Sequence, residues 1–550
     1  AVARGDVLPA ESPRSIPLLS YHLITPTVMG SGLLSPGRSI AELRADSPQC
    51  IDFEVLRPAD VKLEMLARSD DDPQEALRVD GEVLSWQPAS SARPDVLGAS
   101  TTLSPGPHYL EHNGVPQNGR TFAISTDGLS ISLPFDQGLH AGRRLLLAEP
   151  LAVPEAVAVT NAPDPALAFS DLPAYAVLDL GRTVHGRLAM ELDGPSGAIV
   201  DVGWDERLWL DSRPLPYPGS LHPEWNQVDS WVLDGSVHTV TTIDARAGRY
   251  LLIAVWGAGP VALRNVRVYE ERYPVTERGS FDSSDPRLDR IWQTGVDTLY
   301  PNMTDAYTDT PWRERGQWWG DAYVEYKINE AAFGDTRLLA RGLRLMGAGF
   351  SEGVPNAMVP HGDGVHMLDF GMLWVQGLVD YWRMTEDSSL LTELYPTLLD
   401  FMGYLNGYAD ASTGLINLPK AHWSQTVLID WYAPNSRYGQ STAVNAFYYR
   451  ALRNASEVAT ALGDLDQAAL WSEQALHIQG QIIRELYNAE QRCFWETLFD
   501  GERMGWKTSV GDAALCPPHA QAWALANDVV PASEQSAVAR ALVRSISRDT

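Results

Sequence analysis

Apolar residues change their spacing once along this chain, near residue 280. Before that point, short runs alternate apolar and polar positions. Examples are 175–181 (YAVLDLG), 186–194 (GRLAMELDG), 198–204 (AIVDVGW), 250–257 (YLLIAVWG) and 261–271 (VALRNVRVYEE). A period of two turns one face of an extended strand to a core and the other to solvent. Gly, Pro and Asp separate the runs, so this half predicts antiparallel strands joined by turns. Residues 161–278 read as one β-sandwich. Residues 1–160 read as a second β-sandwich, with Pro-rich breaks at 91–98 (SARPDVLG) and 103–114 (LSPGPHYLEHNG). The stretch 149–169 (EPLAVPEAVAVTNAPDPALAF) serves as the connector.

After residue 280 the period becomes helical. Leu288, Ile291, Trp292, Val296 and Leu299 follow the i, i+3, i+4 stripe of an amphipathic helix. Asp285 followed by Pro286 is a start signal, a capping side chain before a first-turn proline. Further helices are predicted over 370–385, 389–409, 441–463 and 466–487, with later ones at 517–530 and 533–546. About nine helices with no strands between them point to a helical bundle or an (α/α) toroid over 279–550.

Composition narrows the function. Apolar residues make up 45% and charged residues 20%, the balance of a folded globular chain. The net charge of -28 opposes binding to phosphate backbones and anionic lipid, so neither nucleic acid nor membrane is an expected partner. No apolar run is long enough to span a bilayer. The first residues lack the charged start and apolar stretch of a leader, which leaves a cytosolic chain or an exported one whose leader is gone. Cys50, Cys493 and Cys516 are few and far apart. They read as small buried apolar groups rather than a disulfide framework or a metal site.

The most unusual stretch is 307–321, YTDTPWRERGQWWGD. It sets Asp309, Arg313, Glu314, Arg315 and Asp321 among Trp312, Trp318 and Trp319. Twelve of the 18 tryptophans follow residue 280, which concentrates aromatic faces in the same half. Glycoside hydrolysis needs a protonated acid beside the leaving oxygen and further carboxylates nearby. Aromatic walls favour the protonated form of a carboxyl group. A surface loop of Arg–Glu pairs with tryptophans filling a core is the plainer alternative. The pair His361 and His366 with Asp363 has no established zinc spacing and reads as a loop. Glu496 precedes a turn-rich hairpin and reads as structural. No motif calls for a cofactor.

The spacing of Asp309, Glu314 and Asp321, with Arg313 before the Glu and Gly320 before the last Asp, resembles a known signature. This is the D-x-P-x-R-E-x-x-x-W-x-G-D pattern of the bacterial α-L-rhamnosidases, glycoside hydrolase family 78. Thr310 and Trp312 depart from that pattern without touching a carboxylate. The segment LIDWYAPNSRYGQSTAVNA resembles the family's second block, and 177–194 with GWDERL resembles the sandwich before its barrel. The resemblance implies β-sandwich domains followed by an (α/α)6 toroid and an inverting exo-glycosidase for terminal α-L-rhamnosyl groups. By the same resemblance Glu314 is the general acid. Asp309, Arg313, Trp318, Asp321, Asp430 and Trp431 bind the sugar of a rhamnose-containing glycoside or polysaccharide.

Inversion needs a second carboxylate about 6.5–9.5 Å from the acid. In the resembled family it comes late in a twelve-helix toroid, so the base is expected beyond Thr550. Two rivals stay open: a toroid hydrolase or lyase for uronic-acid sugars, for which Arg313 and Arg315 could pair the carboxylate, and a carbohydrate-binding relative without catalysis. Aglycone, linkage preference and oligomeric state are not encoded in any motif.

Overall fold

The computed structural model describes residues 20–546 apart from 35–37, 44–48, 56–58, 67–76, 86, 91–92, 105, 113–119, 127–130, 133–143, 147–149, 152–156, 161–165, 173, 207–226, 258, 361–363, 432–436 and 505–515. The described chain divides into two compact units. One comprises residues 20–273 with 311–314, and the other residues 274–310 with 315–546.

The first unit is built from antiparallel sheets. Its largest sheet centres on the 20-residue strand Ala174–Asp193, flanked by Arg246–Trp256 and Val261–Arg272, with Ile199–Asp205 beyond. Two of the expected strands, 175–181 and 186–194, are therefore one. They join through a register shift between Asp179 and Val184, where Gly181 takes a φ of 82°. Arg249 clamps this irregularity with two bonds to Asp179, at 2.8 and 2.9 Å. Leu178, Val200, Val202, Trp204, Ile253 and Val268 fill the core beneath the sheet. Gly186 is required by close packing, because a Cβ there would lie 2.4 Å from the Tyr269 carbonyl.

Two parts of the first half differ from expectation. The Pro-rich segments taken as breaks are strands, Arg93–Leu103 and Gly106–His112, each paired to a neighbour. The stretch taken as a connector contributes Val157–Thr160 and Ala166–Phe169, which extend the large sheet through Val261–Arg272. Proline removes one amide but leaves the carbonyl side of a strand able to pair. Strands Ser20–Ile24 and Thr27–Leu34 also join this large sheet. Other strands between residues 38 and 146 form two further antiparallel sheets.

The second unit carries, among the described residues, nine α-helices. They are α1 (Pro286–Asn302), α2 (Trp319–Ala332), α3 (Arg337–Ala348), α4 (Leu368–Thr385), α5 (Ser388–Asn406), α6 (Thr442–Leu462), α7 (Leu465–Leu486), α8 (Pro518–Ala526) and α9 (Gln535–Ile546). The Asp285 side chain accepts from the Arg287 amide and caps α1, with proline in the first turn as the sequence signals. Of the α1 stripe, Val296 and Leu299 are buried while Leu288 and Ile291 are exposed.

Helix α2 packs on α4, α4 on α6 and α6 on α8, and each is followed by a partner helix that packs back on it. Helices α4 and α6 are accordingly buried over most of their length, polar residues such as Gln376, Asp380, Asn445 and Asn454 included. A polar chain crosses these packed helices. Tyr326 and Lys327 both hold Asp380, at 2.6 and 2.8 Å, and Gln376 bonds Asp380, Arg450 and Asn454. The helices are not free of strands: Gln440–Ser441, just before α6, pairs with Thr497–Phe499 after α7, and Glu502–Met504 completes a small sheet. The cysteine expectation is also corrected. Cys493 and Cys516 form a disulfide with their Cα atoms 5.8 Å apart. An odd, widely spaced set argues against a framework but not against one bridge between segments that the fold brings together. No described helix is long and apolar enough to cross a membrane.

Candidate active site

The loop from Asp309 to Gly316 is closed by reciprocal bonds between its ends. The Asp309 amide donates to the Gly316 carbonyl at 3.0 Å, and the Gly316 amide donates to Asp309 Oδ1 at 2.9 Å. Thr310 adds a bond to Asp309 Oδ2 at 3.3 Å, so this carboxylate has a fixed orientation. Gly316 is needed where it stands, because a Cβ would fall 2.2 Å from the Met358 sulfur. Arg315 takes a φ of 53°, an uncommon value for a non-glycine residue.

Residues 311–314 within this loop group with the first unit. There Trp312 Nε1 donates to Glu206 at 3.0 Å, and Arg313 lies 3.7 Å from Glu314, whose side chain is 35% exposed. Glu314 is thus carried on a short loop anchored by backbone bonds at both ends.

Past Gly316 the chain forms α2. Trp318 is its first flanking residue, and its ring meets Phe370 of α4 edge-on at 6.5 Å. Gly320 lets Phe370 approach, since a Cβ would be 2.4 Å from that ring. Asp321 is exposed in the first turn of α2, where unpaired amides favour negative charge.

One turn further, on the same face of the helix, lies a carboxyl group that motif reading passes over. Glu325 is 8% exposed, and its Oε2 has no hydrogen-bond partner. Burial, with added repulsion from Asp321 and Asp309, holds its carboxyl well above the usual carboxylate range. Glu325 is therefore a third carboxyl group beside Asp309 and Asp321, one whose neutral form burial favours. The signal available in the sequence is its position four residues after Asp321, inside the inward stripe of Trp319, Ala322 and Tyr326.

Asp430 and Trp431 occupy the turn 428–431 in the second unit. Asp430 is exposed and bonds His519 of α8 at 2.8 Å, and Trp431 is 68% exposed. This turn is held by Asp369, the residue next to Phe370, through the amides of Leu428 and Ile429. The first turn of α4 thus touches both sequence blocks, Phe370 against Trp318 and Gly320, Asp369 against the turn before Asp430. His361 and Asp363 lie outside the described residues, and His366 Nδ1 sits 3.3 Å from the Pro355 carbonyl. Glu496 is buried before the small hairpin, with its amide on the Met504 carbonyl.

The described chain thus places antiparallel sheets before paired helices, with carboxyl groups and tryptophans at the head of α2. Residues 276–550 match the family described as bacterial alpha-L-rhamnosidase 6 hairpin glycosidase domain, and the chain belongs to that family. The chain is similar to the family 78 rhamnosidase of Bacillus sp. GL1, with 19% identity and a TM-score of 0.73 over 95% of this chain and 62% of that one. It is also similar to a rhamnosidase from Klebsiella oxytoca with rhamnose bound, at 20% identity and a TM-score of 0.58 over 74% of this chain and 76% of that one. The Streptomyces avermitilis alpha-L-rhamnosidase complexed with L-rhamnose gives 17% identity and a TM-score of 0.53, over 94% and 53% of the two chains. The chain spans about three-fifths of the length of the Bacillus protein. No curated protein matches it.

Proposed function

We propose that this chain supplies the acid side of an inverting exo-glycosidase that removes terminal α-L-rhamnosyl groups. The observation that carries the reading is the arrangement of carboxyl groups at the head of α2, within a chain of the rhamnosidase family. Asp309 is oriented by the Gly316 amide and Asp321 sits on a helix start, so both are suited to accept hydrogen bonds from sugar hydroxyls. Glu314, on its anchored loop beside Arg313, acts as proton donor to the departing oxygen. Trp318 and Trp431 offer aromatic faces to the C–H side of the ring. The rhamnose-bound Klebsiella and Streptomyces relatives support a rhamnoside as substrate.

In this reading the packing of α2, α4, α6 and α8 in succession is the inner ring of an (α/α) toroid. Domain limits at 1–160, 161–278 and 279–550 go with that proposal. The Cys493–Cys516 bridge favours an oxidising compartment.

The test is hydrolysis of p-nitrophenyl α-L-rhamnoside by the intact enzyme, followed by NMR during the first turnovers. The proposal expects β-L-rhamnose as the first sugar released and no action on the corresponding uronide. Initial release of the α-anomer would exclude inversion, and preference for the uronide would exclude the substrate class.

A further inference from the structure

The turn that precedes Trp431 is strained. Ile429 has a φ of 58°, where a β-branched side chain crowds its own backbone. The Asp430 amide donates to the Leu428 carbonyl at 2.7 Å, closing a three-residue turn of the rare positive-φ kind. Such a conformation persists only where its surroundings hold it, and it tends to occur where a side chain must be aimed.

The holding groups are identifiable. Asp369, 2% exposed in the first turn of α4, accepts on Oδ2 from the amides of Leu428 at 3.0 Å and Ile429 at 2.7 Å. Its Oδ1 has no hydrogen-bond partner, and the amides of Ile429 and Leu428 lead the backbone groups that favour its charged form. A buried carboxyl costs stability unless it is used, and burial has pushed this one up to about 6. Arg437 donates through Nε to the Leu428 carbonyl at 2.8 Å and through Nη2 to the Asp430 carbonyl. The segment leading in is laced to the start of α4, with the His366 amide on the Ser424 carbonyl and the Leu368 amide on the Thr426 carbonyl, both at 2.7 Å. His519 then fixes the Asp430 side chain. The residue that emerges from this clamp is a tryptophan with 68% of its surface in solvent. A rigid backbone beneath an exposed indole is the construction of a preorganised binding platform.

We propose that Asp369 and Arg437 are positioning residues that lock the strained Leu428–Asp430 turn and so present Trp431 and Asp430 to the sugar. The proposal rests on the reading of those two residues as sugar contacts. Since the platform binds rather than reacts, loosening it raises KM and leaves kcat nearly unchanged.

Steady-state kinetics of the intact enzyme on p-nitrophenyl α-L-rhamnoside test it, with hydrogen exchange of the Leu428 and Ile429 amides in parallel. Asp369→Leu is expected to raise KM about tenfold or more, with kcat changed less than about threefold, and to speed exchange at both amides. Adding Ile429→Gly restores KM to within about threefold of the parent, because glycine holds a positive φ without the clamp. Arg437→Ala, near the surface, gives the same KM effect and keeps the test open if Asp369→Leu does not fold. Unchanged KM and unchanged exchange in both single variants overturn the proposal. So does an equal loss in kcat, or failure of glycine to rescue. If Trp431→Ala leaves KM unaltered while Asp369→Leu still speeds exchange, the sugar-contact premise has failed and the clamp alone stands.

Discussion

Glu325 brings a carboxyl group into the helical unit beside two others, and the consequence is a pH-dependent stability. Its folded pKa is raised well above 4.5 by burial and by Asp321 and Asp309. The folded protein therefore keeps a proton that the unfolded chain gives up near 4.5. The favourable contribution is complete below that pH and is lost as pH rises towards the folded value. Glu325→Gln has no proton to lose. In urea unfolding it is expected to match the parent at pH 4 and to exceed it in stability at pH 8. Parallel pH profiles for the two proteins would contradict this. The motif spacing ends at Asp321, so it identifies Asp309, Glu314 and Asp321 but stops one helical turn short of Glu325. Asp369 has no local signal at all. A Leu–Asp pair opening a helix is ordinary, and its meaning comes from Leu428 and Ile429, about 60 residues away.

Among the elements, those governed by local physics were legible. Asp285–Pro286 states where α1 begins, and the period-two runs state where the long strands lie. Elements governed by partners were not. A glycine with positive φ lets one 20-residue strand absorb two expected ones, and Pro-containing runs become strands because a neighbouring strand pairs with them. The cysteine bridge belongs to the same group, since sequence separation says nothing about the 5.8 Å between Cα atoms. It closes a span of 23 residues, and a loop of that length predicts about 3 kcal/mol of stabilisation from restricting the unfolded chain. Cys493→Ser is expected to lower the thermal midpoint of the protein, and reductant should lower the parent's midpoint but not the variant's. Insensitivity of the parent to reductant would show that the bridge contributes nothing.

At the scale of the whole molecule, the candidate residues gather at the starts of successive packed helices: Asp321 on α2, Asp369 and Phe370 on α4, and His519 on α8. Helix starts present unpaired amides, a setting that favours carboxylates and tolerates several in one region. The change of period near residue 280 made the division into sheets and helices legible, apart from residues 311–314, which group with the sheets. Trp312 of that segment bonds Glu206, 106 residues away, and no periodicity records such a contact.

The central claim is that Glu314 donates the proton. Glu314→Gln removes that proton while keeping shape, and general acid catalysis is worth about 10²–10⁴-fold. The decisive measurement is kcat/KM of parent and Glu314→Gln on a rhamnoside with a poor leaving group, such as an alkyl alcohol, and on one with a good leaving group, nitrophenolate. A good leaving group needs little protonation, so the expected defect is about 10²-fold or more on the alkyl rhamnoside and far smaller on the nitrophenyl one. An equal defect on both substrates would contradict the assignment and move Glu314 to a binding role.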